Sequence, residues 1–174
     1  MTFTAIFIAS LSLIVSGLSL GWQIAIWLMN GARVRVTFKS GVFGRGGVVL
    51  ADVGRDGLIR DMGSMRDQEW AGPDVLAIEV TDVGRQRAKV VRFGLRQGEK
   101  QAGIVYNDPG VPNPPLSEWI EPGESTTWYA DLQDAVALVR ATAATGRRGT
   151  GRMRMYVELG TGKTLVTRNA VRLT

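Results

Sequence analysis

The chain has 174 residues, with 21 Lys plus Arg against 16 Asp plus Glu and neither His nor Cys, which bounds it to one domain of ordinary size and at most a small appendage. That inventory excludes imidazole triads, thiol nucleophiles, Cys/His zinc sites and disulfide frameworks, and leaves carboxylate, hydroxyl and backbone chemistry. A hydrophobic content of 45% with 21% charged residues is that of a globular chain, not a disordered one.

Charge is distributed unevenly: residues 1–32 carry no Asp, Glu, Lys or Arg, so the net +5 belongs to 33–174. The apolar run 3–29, built as a helix at about 1.5 Å per residue, reaches roughly 40 Å, more than a hydrocarbon core of about 30 Å. It reads as one transmembrane helix. A cleaved signal peptide fits less well, because the positive leading region is missing and the apolar run is too long. A core helix would be shorter, with charge on its outer face. Trp22 and Trp27 suit the headgroup layer, and Arg33, Arg35 and Lys39 follow closely, so these five read as interfacial anchors. Basic residues beside a span stay in the cytoplasm, so the domain 33–174 is expected on that side, with an extracytoplasmic placement left open.

Within the span, Ala5, Ala9, Ser12, Ser16, Ser19 and Gln23 share one helix face and form a seam of small and polar groups. Such a seam lets two backbones approach in lipid, so a homo-oligomer through the helix is a predicted partner interaction. Gly17 and Gly21 lie off it. The plainer reading is that the hydroxyls bond back to the preceding turn.

The rest reads as strands. Residues 33–38 alternate, with Val34, Val36 and Phe38 on one face, and the glycine-rich run 41–47 reads as a flexible turn before a strand at 48–53. Gly54-Arg55-Asp56-Gly57 reads as a turn into a strand at 58–60, and the polar stretch 62–73 as a surface excursion. Residues 75–80 and 88–96 read as strands joined in a hairpin about Gly84. A short strand at 104–106 precedes the proline-rich loop 107–115. Glu121-Pro122-Gly123-Glu124 is a turn before a strand at 125–130. Asp131 can then cap a helix over 131–144, with Leu132, Val136, Val139 and Ala143 on one face. Strands at 153–159 and 164–173, joined by Gly160-Thr161-Gly162-Lys163, close the chain as a hairpin.

Short strands, frequent turns and one crossover helix imply a mainly β fold: an N-terminal transmembrane helix, 1–32, followed by an antiparallel immunoglobulin-like β-sandwich over 33–174. The runs Val80-Thr81-Asp82-Val83-Gly84-Arg85, Ala88-Lys89-Val90-Val91 and Ile120-Glu121-Pro122-Gly123-Glu124-Ser125, with the final hairpin, carry a resemblance. Over about 75–173 the chain resembles a group of actinobacterial and actinophage proteins in which a membrane helix precedes a small immunoglobulin-like sandwich. The resemblance implies that fold and no activity, since its motifs are turn chemistry. An excess of 17 Arg over 4 Lys accords with a GC-rich source and says nothing of function.

Several motifs are decoys. Gly160-Thr161-Gly162-Lys163-Thr164 ends like a phosphate loop, but Val157 stands where the first glycine belongs and a strand follows, so no helix N-terminus meets phosphate. The run 41–47 misses the dinucleotide-binding spacing. Asp52, Asp56, Asp61, Asp67, Glu69 and Asp74 make an acidic region without a calcium-loop pattern, interleaved with Arg55, Arg60 and Arg66, and read as solvated surface.

Two basic clusters remain: Arg85, Arg87, Lys89, Arg92 and Arg96 on one hairpin, and Arg147, Arg148, Arg152 and Arg154 around a glycine-rich loop. Of these, Arg85, Arg87, Lys89, Arg147, Arg148 and Arg152 are the candidates for contact with an anionic surface. Lipid headgroups are the nearest polyanion to a membrane-attached domain. Nucleic acid is disfavoured, because a single aromatic, Phe93, interleaves the first cluster. A solvated Arg-rich face is the plainest reading. The expected function is a non-enzymatic, single-pass membrane-anchored module for an unidentified protein partner, with no cofactor and no metal. A phage-encoded or virion-associated protein, its apolar helix packed in an assembly, is the alternative. A carboxylate hydrolase ranks last.

Overall fold

The computed structural model describes residues 2–29, 31–59, 72–98, 103–107, 112–145 and 151–173. The apolar N-terminus forms one unbroken helix, α1 (Thr2–Met29). With no charge and no proline in its sequence, nothing interrupts its i→i−4 ladder.

Two antiparallel sheets make up the rest. The first contains β1 (Val34–Gly44), β2 (Gly47–Asp52), β3 (Asp74–Asp82) and β7 (Ser125–Asp131), in the order β2-β1-β3-β7. The second is built on β4 (Ala88–Gln97) and β8 (Arg152–Leu159), with β5 (Gly103–Tyr106) and β10 (Val171–Arg172) outside them in the order β10-β8-β4-β5. Two short strands add to it: β6 (Trp119–Ile120) on β4, and β9 (Thr164–Val166) on β8. The helix α2 (Leu132–Ala144) carries the chain from the first sheet to the second.

The sheets share one core. Phe38, Leu76, Ile78, Val80 and Trp128 from the first sheet meet Val90, Phe93, Leu95, Met153, Met155 and Val157 from the second. Each set is the inward half of an alternating strand. Trp128 is fully buried, stacks near Phe93 at 6.3 Å, and satisfies its indole N–H on the Pro114 carbonyl at 3.2 Å. Phe93 also stacks on Tyr106 at 5.0 Å, whose hydroxyl donates to Asp134 Oδ2 at 2.6 Å. Burial, then the Asp134 bond, pushes this phenol far above its ordinary range.

Four local expectations are corrected. First, 75–80 and 88–96 are strands but not hairpin partners, because β3 pairs with β1 and β7 while β4 pairs with β8, β5 and β6. Asp82 explains the exit from β3: its Oδ1 accepts from Gly84 N at 2.8 Å, Val83 N donates to Arg33 O at 2.7 Å, and residues 83–87 then cross to the other sheet. Second, the run 41–47 is mostly strand. Gly41 stands against Leu50 in the β1–β2 register, and a Cβ there would run into the Val49 carbonyl, so the glycine serves close backbone approach. Third, Leu58 and Ile59 are outside any strand, while the turn before them forms, with Gly57 N donating to Gly54 O at 3.2 Å.

Fourth, α2 starts as expected, Asp131 Oδ1 accepting from Gln133 N at 2.8 Å, but its buried face is Ala135, Leu138 and Thr142. Ala143 is exposed. Leu132 and Val139 of the expected face are half-buried and pack against the core beside them, and Thr142 satisfies its hydroxyl on Leu138 O at 2.8 Å. The surface excursion at 62–73 lies almost wholly outside the described residues.

Candidate functional site

Two features of the surface stand out, the helix and an arginine-lined cleft. On α1 the window from Phe3 to Ile26 has a mean hydropathy of 2.1 and no residue of it is buried by the rest of the chain. Ala5, Ala9, Ser12, Ser16, Ser19 and Gln23 are exposed along it. Ser10, off the seam, donates to Ile6 O at 2.9 Å, the back-bonding that satisfies a hydroxyl in an apolar helix. Trp22 is exposed, and the Trp27 side chain lies outside the described residues.

Past the helix, Arg33 and Arg35 are exposed. Lys39 is engaged within the first sheet, its Nζ 3.0 Å from Glu79 Oε1 and 3.8 Å from Asp52 Oδ1. Beside Arg33 lies the 83–87 crossover with exposed Val83, Arg85 and Arg87. There the Arg87 guanidinium covers the ring of Trp119 at 4.3 Å, with Lys89 Nζ 5.7 Å from the same ring. Trp119 is 46% exposed, so this corner carries an indole, an apolar side chain and several cations next to the point where the helix chain enters the domain.

The cleft opens on the edge shared by both sheets. β2 covers only residues 39–44 of β1, and among the described residues no strand pairs with 34–38 on that side. Because Arg33 O accepts from Val83 and Phe38 O from Val53, the ladder alternation aims the backbone groups of Val34 and Val36 at the gap. Opposite lie β9 and the segment after it. Between them is a cleft of about 590 Å³ whose walls include Val36, Phe38 and Leu165 with Arg35, Arg55 and Arg168. A cavity of about 250 Å³ adjoins it through Arg55 and Arg168, and adds Arg152, Arg154 and Arg172.

Among the described residues the lining holds one carboxylate, Asp56, whose Oδ1 accepts from Leu58 N at 3.2 Å. The cleft is held by one backbone and one side-chain bond: Arg172 N donates to Gly57 O at 2.9 Å, and the Asn169 side chain donates through Nδ2 to Val53 O at 2.6 Å.

No protein-family model matches this chain, and no curated protein matches it. Its chemistry is therefore argued from its own residues.

Register explains why the arginines gather. On the outer face of the second sheet Arg92 stands opposite Glu158, and the two form an ion pair at 3.0 Å. Further along the same strands Arg96 stands opposite Arg154, and Arg152 opposite Arg172. Like charges directly opposite one another destabilise a sheet. Arg96 Nε is buried and has no hydrogen-bond partner among the described residues. Tyr156, between these pairs, has its hydroxyl pushed up by burial and drawn back by Arg92 and Arg96.

The structure regroups the two basic clusters expected from sequence. Arg87 and Lys89 lie over Trp119 and Arg85 is exposed on the same crossover, Arg96 of the first cluster stands opposite Arg154 of the second, and Arg152 and Arg154 line the cleft; Arg147 and Arg148 lie outside the described residues. The sequence reading places Arg55 in a solvated acidic stretch and singles out neither Arg168 nor Arg172, because only the fold brings the 54–57 turn and the segment after β9 beside β8. Among the described residues no group of three Asp or Glu side chains is placed to hold a metal; Asp61, Asp67 and Glu69 lie outside them.

Proposed function

We propose that the chain is a single-pass membrane-anchored, non-enzymatic interaction module, with an immunoglobulin-like sandwich held at the bilayer by α1. The observation that carries this reading is the exposure of the whole Phe3–Ile26 window at a mean hydropathy of 2.1. An apolar helix that packs on nothing in its own chain needs lipid or protein around it. The corner of Val83, Trp119, Arg85 and Arg87 supports it, since indole and guanidinium groups beside the helix exit suit the headgroup layer. Arg33 and Arg35 favour the cytoplasmic side. An inventory without His or Cys favours binding over catalysis.

The same exposed helix also fits the second reading, a phage-encoded structural protein whose helix packs in an assembly with copies joined along the Ser12–Ser16–Ser19 face. Alkaline carbonate extraction separates the two. The anchored chain stays in the membrane pellet at its full-length mass and leaves only with detergent. Release by carbonate, or sedimentation as a detergent-resistant particle, contradicts the anchor; loss of the N-terminal segment identifies a cleaved signal instead.

A further inference from the structure

We propose that the arginine-lined cleft binds a phosphorylated ligand, two or more phosphoryl groups entering the cavity between Arg55, Arg152, Arg168 and Arg172 while the rest of the molecule lies along the open edge of β1. Three independent observations support it. The cavity is concave and, among the described residues, gathers five guanidinium side chains against one carboxylate, Asp56. Guanidinium forks match phosphate oxygens in pairs and keep their charge at every physiological pH. The sheet also places Arg152 against Arg172 and Arg96 against Arg154, although a few residues away it pairs Arg92 with Glu158. A bound polyanion would offset that like-charge cost.

The shape of the cleft fits the same ligand. The cavity of about 250 Å³ opens into one of about 590 Å³ through the shared walls of Arg55, Arg168 and Asn169. The larger part is lined by Val34, Val36, Phe38 and Leu165 as well as by Arg35, a mixed surface suited to an organic group attached to the phosphates. The backbone groups of Val34 and Val36 face it and offer hydrogen bonds at fixed positions. This inference does not depend on the membrane reading, because the phosphoryl groups can belong to a soluble compound or to a lipid headgroup.

The test uses the full-length chain in zwitterionic nanodiscs, titrated with pyrophosphate by calorimetry at 150 mM salt. Saturable binding is expected, weakened about tenfold or more by Arg168→Gln or Arg152→Gln and unchanged by Arg140→Gln on the exposed side of α2, a helix that packs on β3, β5 and β7 away from the cleft. In the absence of ligand, Arg172→Gln is expected to raise the melting temperature, since it removes one partner of a like-charge pair; this reads the site without requiring a folded but inactive variant. Nanodiscs carrying a phosphoinositide that compete with pyrophosphate through Arg168 assign the ligand to lipid, and nanodiscs that do not compete assign it to a soluble compound; either supports the proposal. It is overturned if pyrophosphate shows no saturable binding, if Arg140→Gln weakens binding as much as Arg168→Gln, or if an oligoglutamate peptide binds and pyrophosphate does not displace it, which would mean an acidic strand on the β1 edge.

Discussion

Gly57 closes the turn that ties the first sheet to β10, and replacing it with alanine tests how the cleft is held. Its φ is +73°, and an added Cβ would stand 2.5 Å from the Ala170 carbonyl oxygen, a backbone atom. Gly123, in the Glu121–Glu124 turn, has a φ of +87° with nothing near its Cβ position. Both alanines incur the left-handed backbone cost of about 1–2 kcal/mol, reduced by roughly 0.4–1 kcal/mol because alanine also restricts the unfolded chain. Gly57→Ala must in addition move the Ala170 backbone, which strains the Arg172 N to Gly57 O bond of 2.9 Å. A weakened backbone hydrogen bond adds about 1 kcal/mol. We therefore expect Gly57→Ala to destabilise by about 1–2.6 kcal/mol and Gly123→Ala by about 0–1.6 kcal/mol, the former by about 1 kcal/mol more. At about 4 °C per kcal/mol for a domain of this size, thermal unfolding of the full chain in detergent, followed by tryptophan fluorescence, should separate the two by about 4 °C or more. Equal losses would refute the steric part of the reasoning and with it the role of the 54–57 turn as a tie between the sheets.

Asp131→Ala removes the side-chain acceptor for Gln133 N and should cost about 1 kcal/mol in urea unfolding, whereas Asp131→Asn should restore most of it; equal losses would refute the capping role. Tyr106 has a raised phenol pKa, so its contribution is complete below the unfolded value of about 10 and is lost as the pH rises above it, because the unfolded chain ionises first. Stability of the wild-type chain should therefore fall between about pH 10 and 11 more steeply than that of Tyr106→Phe, and parallel curves would contradict the assignment. Paired Ser12→Leu and Ser16→Leu substitutions fill the small-residue seam of α1 and should lower helix-mediated self-association in a membrane two-hybrid readout; an unchanged signal removes the seam as a contact.

The legible parts of the molecule were those set by local chemistry. The uncharged run 3–29 announces its helix, alternation announces β3, β4 and β8, and Asp131 announces the start of α2. Partner choice was not legible, because periodicity marks a strand without saying which sheet receives it. Gly84 and the residues around it resemble a hairpin turn, yet the hydrogen bonds of Asp82 and Val83 turn the chain into the other sheet. The same limit hid the cleft: register sets Arg172 against Arg152, while Arg55 and Arg168 reach the same cavity from a turn and a bend outside the strands, which periodicity does not place. Trp119 was likewise silent until β6 placed its ring under Arg87.

The central claim, a β domain tethered to the cytoplasmic face of a membrane, is tested most directly by protease protection of the full-length chain with a C-terminal tag. The account predicts a tag that sediments with membranes, survives protease on intact cells and is digested once the cells are opened. A tag digested on intact cells would place the domain on the opposite face, and a tag that remains soluble would contradict the anchor itself.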